Sequence, residues 1–192
     1  LRSGTGKRLV SFTDSTLLTH FGLSGPSVLD ISRYYLHAIH EDPRATLSIS
    51  FLPGTSTDDL DTELQSLGGS HVFTFLRARL PERLARALCE HAQVPPATPG
   101  NQLTREARRV LSHTVTRLSP GVTGSRGYNF AEVTSGGVPL SEVRLETMES
   151  RACAGLYLCG EICDVDGRIG GYNFQWAWSS GYVAGISAAQ SA

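Results

Sequence analysis

The stretch that decides the fold expected for this chain begins with Gly155-Leu-Tyr-Leu-Cys-Gly-Glu161 and resumes at Gly170-Gly-Tyr-Asn-Phe-Gln175. The first part is a short apolar run without polar alternation, and such a run predicts a strand buried on both faces of an α/β sheet. The glycine pair then opens a helix of small residues that ends near Ala189. A strand, a turn with an acidic residue, a glycine-rich loop and a helix, in this order, predict a ligand site at the carboxyl end of the strand.

The residue types at this predicted site suit a ligand that carries hydroxyl groups and an electron-rich edge. Gly160 lets a ligand approach the backbone closely, and the carboxylate of Glu161 can accept hydrogen bonds from sugar-like hydroxyls. The helix after Gly170 and Gly171 begins with N–H groups that lack intrahelical partners and lie in a positive dipole potential. An ordinary turn followed by a surface helix would have the same spacing, so the spacing alone leaves both interpretations open.

Composition and charge indicate an ordinary globular protein. The 192 residues are 40% hydrophobic and 18% charged, and the formal net charge is −1. Such a balance creates no global field that would attract RNA, DNA or a membrane surface, so neither a nucleic-acid partner nor a membrane is expected. No segment reaches the roughly 18 apolar residues that a membrane-spanning helix requires.

Four cysteines, at positions 89, 153, 159 and 163, are too few and too irregularly spaced for a disulfide scaffold. Cys159 and Cys163 lack a second pair or a histidine at ligand spacing, so no metal site is expected. The sequence therefore predicts a reducing compartment, the cytoplasm.

The middle of the chain has the start and stop signals of helices. Ser56-Thr-Asp-Asp-Leu has capping chemistry, and a leucine recurs on one helical face until Gly68-Gly69 ends the pattern. Two more helices are expected, one with Pro81 in its first turn and one capped by Thr104. Before this helical part, strands are predicted near residues 9–29 and at residues 46–53, flanking a short helix near residues 28–37.

Several motifs, taken together, resemble one enzyme family over nearly the whole chain. They are Thr19-His-Phe-Gly-Leu-Ser-Gly-Pro, Val122-Thr-Gly-Ser-Arg-Gly, Val133-Thr-Ser-Gly-Gly-Val, Thr147-Met-Glu-Ser-Arg, Gly155-Leu-Tyr-Leu-Cys-Gly-Glu, Asp164-Val-Asp-Gly and Gly170-Gly-Tyr-Asn-Phe-Gln-Trp-Ala-Trp-Ser-Ser-Gly-Tyr. In this order they resemble the C-terminal half of the aminoacetone-oxidase-like bacterial NAD(P)/FAD-dependent oxidoreductases. A more distant likeness is to fumarate-reductase-type flavoproteins.

The resemblance implies a mixed fold, α+β with α/β parts: an insert domain with β-barrel-like and helical parts, and the C-terminal portion of a Rossmann-type FAD-binding domain. The expected division is a β-rich part of the insert at 1–54, its helical part at 55–118, return strands at 119–150, and the FAD-domain portion at 151–192. The implied activity is hydride transfer between a small-molecule substrate and FAD. NAD(P)H is a possible reductant of that flavin.

The resemblance also assigns residues to two groups, although it identifies no catalytic residue. The expected cofactor-binding residues are Gly160, Glu161, Asp164, Gly170, Gly171, Tyr172, Asn173, Phe174 and Gln175. The expected substrate-side residues are His20, Ser24, Gly25, Thr134, Gly136 and Gly137.

One part of the family pattern is missing from this sequence. A strand followed by Gly-x-Gly-x-x-Gly would hold the ADP part of FAD, and Ser3-Gly-Thr-Gly-Lys-Arg does not replace it because no apolar strand precedes it. The chain is therefore predicted to be the C-terminal half of a flavoenzyme, which needs an N-terminal FAD-binding half as its partner and is inactive alone.

An alternative function comes from the helical part. Residues 77–109 contain seven arginines and three glutamates, and such an excess could bind an anionic partner. The chain would then be a non-catalytic insert-domain binding module. A catalytically dead remnant is a third hypothesis.

Overall fold

The computed structural model describes residues 1–191 and divides into two compact units. Unit 1 contains Leu1–Leu9 and Asp42–Val122, and unit 2 contains Val10–Glu41 and the chain from Thr123 onward. Each unit is thus built from two separate stretches of sequence. The four-part division at residues 54, 118 and 150 stays a prediction.

The regular elements are short strands and six α-helices within residues 1–191. In chain order they are β1 (Leu17–Thr19), β2 (Gly22–Ser24), α1 (Pro26–Glu41), α2 (Thr57–Gln65), α3 (Val72–Arg77), α4 (Glu82–His91), α5 (Arg105–Arg117), β3 (Val143–Arg144), β4 (Glu149–Ser150) and α6 (Tyr172–Ser191).

Unit 1 is a helical body, and its helices begin where the capping signals predict. Ser56 and Asp59 form a reciprocal capping box at the start of α2, and Thr104 accepts a hydrogen bond from the Ala107 N–H at the start of α5. The apolar faces of α2 to α5 meet in one core. Its largest fully buried members are Leu60, Leu64, Val72, Leu76, Leu111 and Val115.

The sequence did not predict α3, which is six residues long. Its sequence, Val-Phe-Thr-Phe-Leu-Arg, is too short to show a helical period, and β-branched and aromatic residues have low helix propensity. Tertiary packing of the buried Val72 and Leu76 accounts for the helix instead.

Replacing Thr104 with alanine is expected to destabilise unit 1 by about 1 kcal/mol, because the Ala107 N–H then loses its side-chain acceptor. Chemical denaturation followed by circular dichroism measures the change. Thr104→Ser keeps the hydroxyl and is the matched control. Equal stability of the alanine and serine variants would contradict a capping role.

Unit 2 combines two small sheets with the helices α1 and α6. Strands β1 and β2 form an antiparallel hairpin with Leu18 opposite Leu23, and β3 and β4 form a second antiparallel pair. A small core lies under α6 and is centred on Val143, Met148, Cys163 and Ala184. Helix α1 confirms the short helix expected at 28–37 and extends it at both ends.

The fold class is confirmed only as a mixed α+β arrangement. Within residues 1–191 the strands form two separate two-stranded sheets, and neither closes into a barrel nor forms a Rossmann sheet. The strand expected at 46–53 is reduced to isolated bridges, Arg2 with Thr46 and Ile49 with Leu118.

The strand expected at 155–159 to be buried on both faces is wrong for this structure. Leu156 is 45% exposed, and the segment pairs along one edge only, through the Ser150 N–H to Leu156 O (2.8 Å) and the Leu158 N–H to Met148 O (2.9 Å). A buried parallel strand needs neighbours on both edges and cover on both faces. The described residues supply only one such neighbour.

No helix within residues 1–191 combines the length and hydropathy that crossing a bilayer would need.

Candidate functional site

Helix α1 of unit 2 holds the loop that leads into the glycine pair. The carboxylate of Asp30, only 8% exposed, accepts hydrogen bonds from the Ile169 N–H (2.8 Å) and from Arg168 Nε (3.2 Å). Arg33 donates to the Asp166 carbonyl at 2.8 Å and also pairs with the Asp166 carboxylate. The approach to Gly170 is therefore fixed by two charged side chains of α1.

Asn173 closes the same loop from the other side. Its Oδ1 accepts from the Gly167 N–H at 2.7 Å, and its Nδ2 donates to the Gly167 carbonyl at 3.1 Å. This bidentate clasp engages both polar atoms of the side-chain amide and shapes the loop. Contact of Asn173 with a cofactor stays a prediction.

The turn at Gly160 is fixed by two side chains of α6. The Gly160 N–H donates to Ser180 Oγ at 2.9 Å, and its carbonyl accepts from Trp176 Nε1 at 2.9 Å. Ser180 and the ring of Trp176 lie on the inward face of α6, next to the small core. Since both backbone groups of Gly160 are bonded, the turn presents the side chain of Glu161 outward.

The segment at Thr134–Val138 lies beside this turn. Val138 bridges Cys163 in parallel, with the Val138 N–H to Ile162 O and the Asp164 N–H to Val138 O both 2.8 Å. The exposed Glu161 accepts the Thr134 N–H at 2.7 Å. The structure thus brings Thr134, Gly136 and Gly137 together with Gly160, Glu161 and Asp164.

The start of α6 presents open backbone. Gly170 and Gly171 both have positive φ, and a Cβ placed on Gly171 would have no atom within 4 Å. The side chains of Tyr172 and Phe174 are 65% and 68% exposed, and Gln175 Nε2 donates along the helix to Ser179. Space and unpaired N–H groups therefore coincide where the glycine pair meets the helix.

The remaining candidates lie on the hairpin. His20 is at the tip between β1 and β2, Ser24 ends β2, and Gly25 precedes α1. The hairpin tip meets the loop after residue 123, because the guanidinium carbon of Arg126 lies 4.4 Å from the centroid of Phe21. Within residues 1–191, no hydrogen bond or ion pair joins His20, Ser24 or Gly25 to the Gly160–Gln175 part.

Two groups beside the site have shifted pKa values. Burial raises the pKa of the Cys163 thiol, with a smaller contribution from Cys159, so the Cys163 thiol stays protonated. A hydrogen bond from the Gly155 N–H, supported by Arg144, lowers the pKa of Glu149. All four cysteines are free thiols.

Sequence reasoning missed Asp30, Arg33 and Ser180 as residues that shape the site. Asp30 and Arg33 act on a loop more than 130 residues away. No local pattern signals such a contact.

The outward face of α6 is apolar and uncovered. This 20-residue helix has no charged residue, and Phe174, Trp178 and Tyr182 recur every fourth position with 68%, 68% and 71% exposure. The rings of Phe174 and Trp178 stack with centroids 6.1 Å apart.

The arginine-rich helices of unit 1 are partly neutralised. Arg79 pairs with Glu63 (2.8 Å), Arg86 with Glu82 (3.4 Å) and Arg108 with Asp61 (2.9 Å). Within residues 1–191, the other four arginines of the region make no ion pair: Arg77, Arg83, Arg105 and Arg109. The hypothesis of an anionic partner stays a prediction that rests on these four.

A family model described as the HI0933-like protein barrel and H2TH domain matches residues 1–133. The chain belongs to this HI0933-like family. The description of this family includes a barrel, although residues 1–191 form only two two-stranded sheets and no closed sheet.

Three relatives of this HI0933-like chain are known by name. The Ribosomal RNA dihydrouridine synthase of Escherichia coli (strain K12) is 40% identical over 176 residues, which cover 90% of this chain and 42% of the relative. The protein of the same name from Haemophilus influenzae is 36% identical over 178 residues, 92% of this chain and 43% of the relative. The 3-dehydro-bile acid delta(4,6)-reductase of Clostridium scindens is 32% identical over 186 residues, 95% of this chain and 46% of the relative.

These relatives are named as oxidoreductase-type enzymes, which supports the sequence-based expectation of an oxidoreductase family at that coarse level. The HI0933-like chain spans less than half the length of each. FAD, NAD(P)H and the individual site residues stay predictions.

Proposed function

We propose that this HI0933-like chain is the flavin-contacting portion of an FAD-dependent reductase that saturates a carbon–carbon double bond conjugated to a carbonyl group. The observation that carries the proposal is the similarity to two differently named enzymes over at least 90% of this chain. The remaining, dinucleotide-binding part of the protein would be a second segment of polypeptide. The complete protein below means this chain together with that part.

The two names describe different substrates with one chemical feature in common. Dihydrouridine is uridine whose ring C5=C6 bond has been reduced, and that bond is conjugated to the C4 carbonyl. A 3-oxo steroid with Δ4 and Δ6 double bonds likewise has alkenes conjugated to its ketone. In both cases the net reaction adds a hydride to the carbon remote from the carbonyl and a proton to the neighbouring carbon.

The residues around Gly160 and Gly171 fit the flavin that such a reaction requires. Reduced FAD would supply the hydride. The uncrowded backbone at Gly171, directly before α6, suits its electron-rich pyrimidine edge, because a helix N-terminus stabilises negative charge. The Glu161 carboxylate suits ribityl hydroxyls, although in this structure one of its oxygens already accepts the Thr134 N–H.

The substrate would contact the segments that pack beside this region. The Thr134 N–H donates to the Glu161 carboxylate, and Val138 forms backbone hydrogen bonds with Ile162 and Asp164. A substrate lying on Thr134, Gly136 and Gly137, between these two attachments, would be held close to the flavin-contacting loop. His20 and Ser24 carry exchangeable protons on the neighbouring hairpin, and their substrate-side role stays part of the proposal.

The uncovered face of α6 supports the need for a further segment. A helix without a charged residue and with three large aromatic side chains in solvent is unusual for a free surface. Covering this face and the exposed Leu156 with the dinucleotide-binding part would bury both. The cofactor would then lie between the two parts.

Glu161→Ala in the complete protein is expected to weaken FAD binding by about tenfold, because both the hydroxyl acceptor and the tie to Thr134 are lost. Titration of FAD followed by flavin fluorescence measures the change. Glu161→Gln keeps a neutral acceptor oxygen, and its FAD affinity is expected to lie between those of the unsubstituted protein and Glu161→Ala. Unchanged affinity in Glu161→Ala would refute the clamp role.

A further inference from the structure

A group of aromatic side chains surrounds one cation in unit 2, next to the proposed substrate-side segment. The guanidinium carbon of Arg126 lies 3.6 Å from the ring centroid of Phe130 and 4.4 Å from that of Phe21. The imidazole of His20 meets the Phe21 ring edge-on, with centroids 5.2 Å apart. Tyr128 belongs to the same short turn as Phe130, Tyr128–Phe130.

These rings are exposed far more than packing side chains would be. Tyr128 is 78% exposed, Phe130 56% and Phe21 50%. None of the three belongs to the apolar core of unit 2. These rings therefore lie outside the core, and the ring surface of Phe21 and Phe130 that Arg126 does not cover is exposed to solvent.

The charge in contact with the rings is that of Arg126. Two carboxylates lie nearby in sequence, Glu132 two residues after Phe130 and Asp14 before the hairpin, and Asp14 pairs with Arg168. Flat π-faces beside a guanidinium match a ligand that has planar rings and a negative backbone. Single-stranded nucleic acid combines those two features.

We propose that Phe21, Arg126, Tyr128 and Phe130 form a stacking site for an unpaired base of single-stranded RNA. The inference rests on the proposed function, since a reductase of a base in RNA must hold that base out of its helical stack. Tyr128 and Phe130 stack on bases, and Arg126 contacts the adjoining phosphate through its guanidinium. The site departs from the expectation, drawn from net charge, that no nucleic acid is a partner.

The position of the site along the chain brings it close to the proposed flavin contacts. Phe130 lies four residues before Thr134, whose N–H is bonded to Glu161 at 2.7 Å. A base stacked on this cluster would therefore lie on the same continuous loop that leads to the proposed flavin contacts. Two of the named relatives act, by name, on ribosomal RNA.

The test is binding of a fluorescein-labelled oligouridylate of about ten nucleotides to this chain, measured by fluorescence anisotropy without flavin. Phe130→Ala and Tyr128→Ala are expected to weaken binding roughly 5- to 100-fold each, because each removes a stacking face. Arg126→Lys keeps the charge but loses the planar guanidinium, and should weaken binding less than Phe130→Ala.

Two controls separate stacking from general effects. Phe130→Tyr keeps an aromatic face and should bind as the unsubstituted chain does. Tyr182→Ala removes an equally exposed aromatic from α6 and should also leave binding unchanged. Circular dichroism of each variant establishes that unit 2 is folded.

Equal affinity of Phe130→Ala and the unsubstituted chain would overturn the proposal, as would absence of binding or equal affinity for a blunt RNA duplex. Because the assay needs neither FAD nor turnover, its failure is distinct from failure of the proposed reductase activity. A complete protein that binds FAD but shows no RNA stacking would retain the proposed flavin function alone.

Discussion

Replacing Leu64 with alanine is expected to lower the free energy of unfolding of unit 1 by about 2–5 kcal/mol. The side chain of Leu64 is fully buried in the core shared by α2 to α5, among Leu60, Leu76 and Leu111. Truncation removes its transfer free energy and leaves a cavity that the surrounding helices cannot fill completely. Urea denaturation followed by circular dichroism at the helical band gives the change directly.

The matched control is Val110→Ala on α5. Val110 is 45% exposed, and alanine has the higher helix propensity, so this substitution should change stability by less than about 0.5 kcal/mol. If Leu64→Ala and Val110→Ala had the same effect, the helical core described for unit 1 would be wrong.

The largest expected effect at the candidate site is that of Gly137→Ala. A Cβ at Gly137 would lie 2.5 Å from the Ile162 carbonyl oxygen and 3.0 Å from the Cys163 carbonyl carbon, at a φ of +141° that side chains rarely adopt. Both neighbours are backbone atoms, so no rotamer change can relieve the clash. The Val138 pairing with Ile162 and Asp164 should break, and FAD affinity of the complete protein should fall by at least about tenfold.

Gly136→Ala separates the effect of the steric clash from that of backbone strain. Gly136 also has positive φ, at +94°, but a Cβ there would have no atom within 4 Å. This variant carries the backbone strain, of order 1–2 kcal/mol, without the clash. Thermal unfolding and FAD titration of both variants should show a clearly larger loss for Gly137→Ala. Indistinguishable losses would mean that the packing of residues 134–138 against the Gly160 turn is not what holds the site.

The helices of unit 1 were predictable because their signals are local. Ser56 with Asp59, and Thr104 with the Ala107 N–H, act within one turn of the residues they cap. The leucines of α2 recur at helical spacing, and Leu60 and Leu64 are both fully buried. In contrast, α3 has too few residues for a period to show, and its existence depends on packing against the rest of unit 1.

The strand predicted at 155–159 shows what a local pattern cannot specify, namely the residues that cover the segment. An apolar run indicates that a segment is buried somewhere, but the neighbours that bury it lie elsewhere in sequence. Here Leu156 and Leu158 pair with residues 148–150 on one edge, and Leu156 remains 45% exposed. The pattern therefore predicted an environment that the described residues do not provide.

At the candidate site, the sequence identified the segments but not their internal contacts. The motifs assigned the region around Thr134 to the substrate side and the region around Gly160 to the cofactor, and the Thr134–Glu161 hydrogen bond and the Val138–Cys163 bridge place these two regions side by side. The clasp of Asn173 on Gly167, and the hold of Asp30 on Ile169, depend on the exact placement of a loop. Such placement is set by tertiary contacts, and these contacts leave no recognisable pattern of residue spacing in the sequence.

The visible absorption spectrum of FAD tests the central claim, that this chain supplies part of a flavin site which a second segment completes. The complete protein is expected to shift the flavin bands, whereas this chain alone should leave the spectrum of free FAD unchanged. An unshifted spectrum with the complete protein would contradict the flavin function. A shift produced by this chain alone would contradict the division of the site between two parts.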